Sequence, residues 1–185
     1  MIHTSFYSEE ELHRLGFRNL GRHVQISRYA RFYGADKMEL GDYVRIDDFC
    51  ILSGQIRLGA YVHVSAYVAL YGSMGIEFEE HTGISAHSTV YSAMDDFSGE
   101  YLIGPVHPSE MTHVQGGRVM FRRYSQVGAH CLIFPNLTIG EGVVVGACSM
   151  VRSSLPDWKI CFGVPAKVQK ERGKGLLERI RDLNP

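Results

Sequence analysis

Residues 127–151 read VGAHCLIFPNLTIGEGVVVGACSMV, with an aliphatic residue at every sixth position: Val127, Ile133, Ile139, Val145 and Val151. A small residue often follows, as at Gly128, Gly140 and Gly146, and an apolar one stands four places on at Cys131, Leu137 and Val143. A period of six suits neither a helix nor a lone alternating strand. It suits a solenoid whose faces are short strands and whose corners need small residues. Upstream the same spacing runs through Leu20, Ile26, Phe32, Leu40, Ile46, Leu52, Leu58, Val64, Leu70, Phe78, Ile84, Val90 and Phe121, with LGDYVR (40–45) and LGAYVH (58–63) as clear copies. The companions Val24, Ala30, Val44, Cys50, Ile56, Val62, Val68 and Met74 are expected to point inward beside these anchors, stacking into one core.

The breaks locate the corners. With three rungs per coil, coils begin at Leu20, Leu40, Leu58, Phe78, Phe121 and Ile139. The period slips by two residues after Phe32 and Leu70, and a long insertion follows Val90. Each of these rungs is the third of its coil, so all three irregularities leave one corner of a triangular prism. The expected fold class is all-β, a parallel β-helix of about six coils. Residues 1–19 are expected to form a helical cap, 20–155 the β-helix with a loop inserted at 91–118, and 156–185 a C-terminal turn and helix. Ser8 ahead of Glu9, Glu10 and Glu11 predicts a capping box for a helix ending near Gly16. Residues 166–182 read as a charged helix bent around Gly173 and Gly175, with Leu176, Leu177, Ile180 and Leu183 as its docking face.

The 185 residues include 19 basic and 20 acidic side chains, a net charge of −1, so no global field draws the chain to nucleic acid or an anionic membrane. No run of apolar residues is long enough to span a bilayer, and the charged start lacks the apolar core of a signal peptide. Neither nucleic acid nor membrane insertion is expected among its partners. The four cysteines form no CxxC pair and read as free thiols in a cytoplasmic protein.

The rungs of 127–151, followed by a bend and GVPAKV (163–168), resemble the left-handed β-helix, hexapeptide-repeat acyltransferases. The branch is similar to the galactoside and maltose acetyltransferases, and closer still to transferases acting on nucleotide-linked amino sugars in lipopolysaccharide synthesis. The resemblance implies a homotrimer with active sites between neighbouring prisms, acetyl-CoA along the cleft, and a small sugar or nucleotide-sugar acceptor. It places Gly128, Ala129, Gly146 and Ala147 along the pantetheine arm and thioester, where small residues admit a thin ligand and amides meet the oxyanion. Arg152, Ser153, Lys167 and Lys170 would meet the phosphates of CoA.

Galactoside-type enzymes use a His at the end of the rung before the long loop, and aligned on Val90 that position is Asp95, followed by Asp96. A carboxylate is a poor base for a sugar hydroxyl, since its reference pKa is about 4. An amine needs less help, and a carboxylate can hold its ammonium form in place. The exchange therefore favours N-acetylation by direct attack in a ternary complex. His113 and His87 lead the other candidate bases, ahead of His107 and His130, and Tyr91, Ser92 and Phe97 are candidate sugar or nucleotide contacts. The alternatives are a saccharide O-acetyltransferase with a loop His as base and a non-enzymatic assembly protein. A zinc enzyme like the γ-class carbonic anhydrases lacks its paired-His rung, and no metal site is expected.

Overall fold

The computed structural model describes residues 5–183, and the six-residue period is realised in it as short strands joined at left-handed corners. Among the described residues twelve non-glycine positions have φ between 55° and 61°, and all but one lie three residues after an anchor of the sequence repeat. The exception, Trp158, lies three after Leu155. Each such corner costs an L-residue about 1–2 kcal/mol. Ring stacking between coils offsets part of that. At one corner His23, Tyr43, Tyr61 and His81 stack at 4.8 Å per step, and at the next Phe49, Tyr67, His87 and His130 stack at 4.6–4.9 Å.

Parallel ladders join the coils into a left-handed β-helix of about seven turns. The second face runs from Gln25–Ile26 through Arg45–Ile46, His63–Val64, Gly83–Ile84 and Gln126–Val127 to Val144–Val145 and Lys159–Gly163. The strands Ile51–Leu58 and Ala69–Phe78 bend around the third corner and merge the third face with the first. The long insertion does not interrupt the stack: Val90 pairs with Ile133 and Phe78 with Phe121, whose rings lie parallel at 4.0 Å.

Nearly every anchor is buried; Leu20 and Phe32, near the N-terminal end, are partly so. Removing such side chains from water supplies about 1.5–3 kcal/mol each. The companions follow, with one exception: Met74 is 40% exposed. The two-residue slip carries the inward position on to Ile76, as it does to Met38 in the first coil, and the extra residues bulge outward at the third corner.

Two expectations at the ends need correction. Stacking passes beyond residue 155, since Leu155 bridges Ile139 and Cys161 pairs with Val145 in a further partial coil. Residues 166–171 are a strand, not a helix: Ala166–Glu171 folds back antiparallel on Lys159–Gly163, whose open edge offers hydrogen bonds that outweigh the helix propensity of KVQKE. The helix is confined to α2 (Leu176–Leu183), with Leu176, Leu177 and Ile180 half-buried; the Leu183 side chain lies outside the described residues. At the other end α1 (Glu9–Arg14) carries the expected capping box, the Ser8 amide donating to Glu11 Oε2 at 2.8 Å and the Glu11 amide to Ser8 Oγ at 3.4 Å. No helix among the described residues is long and apolar enough to cross a membrane.

Candidate active site

The chain leaves the third corner at Ser92 and forms a hairpin in which Ala93–Asp95 pairs antiparallel with Val114–Gly116. Residues directly opposed in such a ribbon share a face and neighbours alternate. Asp95 and Val114 therefore face one way, Asp96 and His113 the other. The second pair is locked: the Asp96 amide donates to the His113 carbonyl at 2.8 Å, and His113 Nδ1 lies 3.1 Å from Asp96 Oδ2. The Ser98 amide donates to Asp96 at 2.7 Å; with the Ser98 hydroxyl, His113 and Gln115 it holds this carboxyl down to about 2. His113 is exposed and its ring packs on Tyr101 at 4.9 Å. Asp95 is half-buried, and among the described residues its carboxylate has neither a hydrogen bond nor an ion pair.

Ser92 was expected to touch the sugar. It is instead fully buried, its hydroxyl donating to the Tyr71 carbonyl at 3.0 Å and accepting the Met74 amide at 2.9 Å. Gly116 and Gly117, the loop's return, have no room for a side chain, since a Cβ would meet the Ser92 carbonyl at the first and Asn136 at 2.7 Å at the second. Tyr91 points outward and stacks on Tyr71 at 5.1 Å, and Phe97 is exposed in the loop.

The second corner carries the glycine and alanine pairs. The amides of Gly128 and Gly146 are spent in the ladder, donating to Val145 and Cys161 at 2.8 Å each. Their lack of a side chain is a packing need: a Cβ would lie 2.6 Å from the Ala147 nitrogen at Gly128 and 2.8 Å from Phe162 at Gly146. The amides of Ala129 and Ala147 donate to nothing among the described residues. Of the four, the alanines are therefore the ones with donors to offer a ligand. Two buried hydroxyls that sequence reasoning missed brace this corner: Ser88 donates to Gly128 O at 2.9 Å and Ser149 to Gly146 O at 2.6 Å. Their signal was the Ser recurring four residues after Ile84 and Val145.

Lys167 and Lys170 stand exposed on the hairpin strand that extends the second face, without carboxylate partners among the described residues. Arg152 and Ser153 lie elsewhere, at the far end of the third face, where the Arg152 guanidinium sits 5.4 Å from the Phe134 ring centroid. His87 is stacked between Tyr67 and His130 at the second corner. A single chain thus keeps its candidates in two groups. Asp95, Asp96, His113 and Tyr91 lie by the third corner, as does Arg152 on a later coil; Ala129, Ala147, His87 and Lys167 lie by the second, with Lys170 further back along the second face, opposite Ile160. The third face separates them by about 16 Å of extended chain, from the rise of roughly 3.3 Å per residue between His87 and Ser92.

No family model matches the chain. Among curated proteins it is 34% identical, over 177 residues, to the dTDP-4-amino-4,6-dideoxy-D-glucose acyltransferase of Escherichia coli, covering 94% of this chain and 92% of the relative. Among solved structures it superposes on AntD, an N-acyltransferase from Bacillus cereus in complex with dTDP and 3-hydroxybutyryl-CoA, at a TM-score of 0.95 with 47% identity, covering 98% of this chain and 97% of that one. AntD has also been solved with dTDP-4-amino-4,6-dideoxyglucose and coenzyme A, as a serine variant, and other variants replace an aspartate. A maltose O-acetyltransferase from Clostridium difficile shares the fold alone, at 20% identity and a TM-score of 0.56. With the six-residue rungs, the loop at the third corner and these likenesses together, the chain belongs to the hexapeptide-repeat acyltransferases, in the group of the dTDP-amino-sugar N-acyltransferases.

Proposed function

We propose that this protein transfers an acyl group, acetyl in the first instance, from coenzyme A to the amino group of a dTDP-linked 4-amino-4,6-dideoxy sugar. The observation that carries the reading is the unpartnered, half-buried carboxylate of Asp95 at the base of the third-corner loop. A carboxylate left unpaired there suits a cationic or hydrogen-bonding group brought by a ligand, and the 4-amino group supplies one. The acceptor named for the relatives carries that group.

In the reaction the neutral amine, oriented by Asp95, attacks the thioester carbonyl. The C–N bond forms as the C–S bond breaks, and the amides of Ala129 and Ala147 receive the developing oxyanion. The amine proton passes to the departing thiolate, so amine and acyl-CoA become amide and free CoA thiol. Lys167 and Lys170 contribute charge for the phosphates of CoA. The separation of the two residue groups across the third face supports a site completed by a neighbouring copy, and hence a homotrimer. The locked Asp96–His113 pair favours a second reading, in which His113 serves as base for a hydroxyl acceptor.

The test is thiol release from acetyl-CoA and 3-hydroxybutyryl-CoA with dTDP-4-amino-4,6-dideoxyglucose and with the matching 4-hydroxy sugar nucleotide. Release with the amino sugar alone, lowered about 100-fold or more by Asp95→Asn, is expected. Release with the hydroxyl acceptor alone, abolished by His113→Ala, would overturn the reading in favour of O-acylation.

A further inference from the structure

We propose that Ser92 and the two-residue insertion bearing Met74 form a positioning unit that sets the height of Asp95 above the third corner. The inference rests on the reading of Asp95 given above. Four hydrogen bonds meet at Ser92. Its amide and hydroxyl both donate to the Tyr71 carbonyl at 3.0 Å, its hydroxyl accepts the Met74 amide at 2.9 Å, and its carbonyl accepts the Gly117 amide at 2.9 Å. One buried residue thereby joins the insertion of the coil below, the strand leaving toward Asp95, and the strand returning from the loop.

The insertion is shaped for this task. After Phe32 the same two-residue slip closes into a short turn, Ala35–Lys37, behind Gly34. After Leu70 it stays within one continuous strand, Ala69–Phe78, and turns Met74 outward. The Met74 Sδ stands so near Gly116 that a Cβ there would be 3.0 Å away, and Gly116 pairs with Ala93, two residues before Asp95. The Arg118 side chain packs over Gly75 from the returning strand. Met74 is thus a strut beneath the hairpin rather than a core residue, and Ser92 is its fixing point. A displacement of about 1 Å at a reacting group can cost on the order of 100-fold in rate, which gives such a bracket its kinetic weight.

The experiment measures kcat and KM with acetyl-CoA and dTDP-4-amino-4,6-dideoxyglucose for Ser92→Ala, Met74→Ala, Asp95→Asn and the two doubles with Asp95→Asn. Ser92→Ala is expected to lower kcat roughly 10- to 100-fold and Met74→Ala a few-fold, with the KM for acetyl-CoA within about twofold of wild type. In the Asp95→Asn background neither should lower kcat further, because a bracket has nothing left to position. A loss that multiplies with that of Asp95→Asn, or wild-type kcat in both single variants, overturns the proposal. Should Ser92→Ala fail to fold, the exposed Met74→Ala carries the same cycle alone. Wild-type turnover in Asp95→Asn, or no turnover by the wild type on this acceptor, instead refutes the proposed function, and this inference falls with it.

Discussion

Replacing Tyr67 by glycine should cost less stability than replacing it by alanine, the reverse of the order found in most strands and helices. Tyr67 sits at φ 61°, half exposed, with its ring between Phe49 at 4.9 Å and His87 at 4.6 Å. Both variants lose two stacked contacts, together about 1–3 kcal/mol. Alanine keeps a Cβ in the left-handed region and gains nothing back. Glycine recovers the roughly 1–2 kcal/mol of backbone strain and gives up about 0.5–1 kcal/mol to the greater freedom of the unfolded chain. The glycine variant should therefore be the more stable by about 0.5–1 kcal/mol, and Tyr67→Asn should fall near it, since asparagine also tolerates this conformation. Urea unfolding followed by circular dichroism, at one fixed protein concentration so that association contributes equally, reads the difference. An alanine variant as stable as the glycine one would refute the account of the corners as strained positions held by stacking.

Phe78→Ala should lower stability by about 3–5 kcal/mol in the same assay, because the ring is fully buried against Phe121 where the coils join across the long insertion. Of the four thiols, Cys148 alone should react promptly with a disulfide reagent, while Cys50, Cys131 and Cys161 are buried and wait for unfolding. Burial pushes the Cys50 thiol up to about 12. The unfolded chain ionises there from about pH 8.5, so stability should fall as pH rises from that value toward 12. The Arg28 guanidinium, donating to Glu11 at 2.6 Å through both its terminal nitrogens, holds that carboxyl down to about 2. This contribution is present above the ordinary glutamate value near 4.3 and lost as pH falls toward 2. Protection of the Leu12 and Leu15 amides against exchange, taken relative to the intrinsic rate at each pH, should therefore fall across that window in the wild type and already be reduced at neutral pH in Arg28→Ala.

The coils could be read from the chain because the solenoid repeats its burial demand at a fixed interval: an anchor such as Leu70 or Val145 is apolar for the same reason in each turn. The corner of the loop was legible too, since any added residue must bulge where the backbone already turns outward. What the sequence hid was hydrogen bonding across coils. Ser92 lies within a stretch of small polar residues that reads as ligand-facing, and only the register of Tyr71 beneath it shows that its hydroxyl is consumed. Gly128 and Gly146 looked like room for a ligand, yet they make room for Ala147 and Phe162, and the donors fall to the alanines beside them. The strand at 166–171 was misread because its partner edge, Lys159–Gly163, carries no six-residue signal of its own. Asp96 and His113 were both picked out, but their mutual lock depends on a loop register that no periodicity records.

The two ends of the stack differ in kind from everything between them. A parallel ladder has an unsatisfied rim at each end, and a prism that presented both rims bare would be a template for end-to-end fibre growth. On the second face the first rim is met by an antiparallel bridge between Phe6 and Ser27 and by the Tyr7 amide on Ile26, and the last by the reversal at 166–171. That reversal offers any incoming chain a strand studded with Lys167 and Lys170, whose charges repel a second copy of the same edge. The lysines proposed to meet the CoA phosphates thus also set like charge along the exposed edge of the last strand. Trimming the chain at residue 165 would uncover the Lys159–Gly163 edge, and sedimentation velocity should then show more self-association than in the full chain.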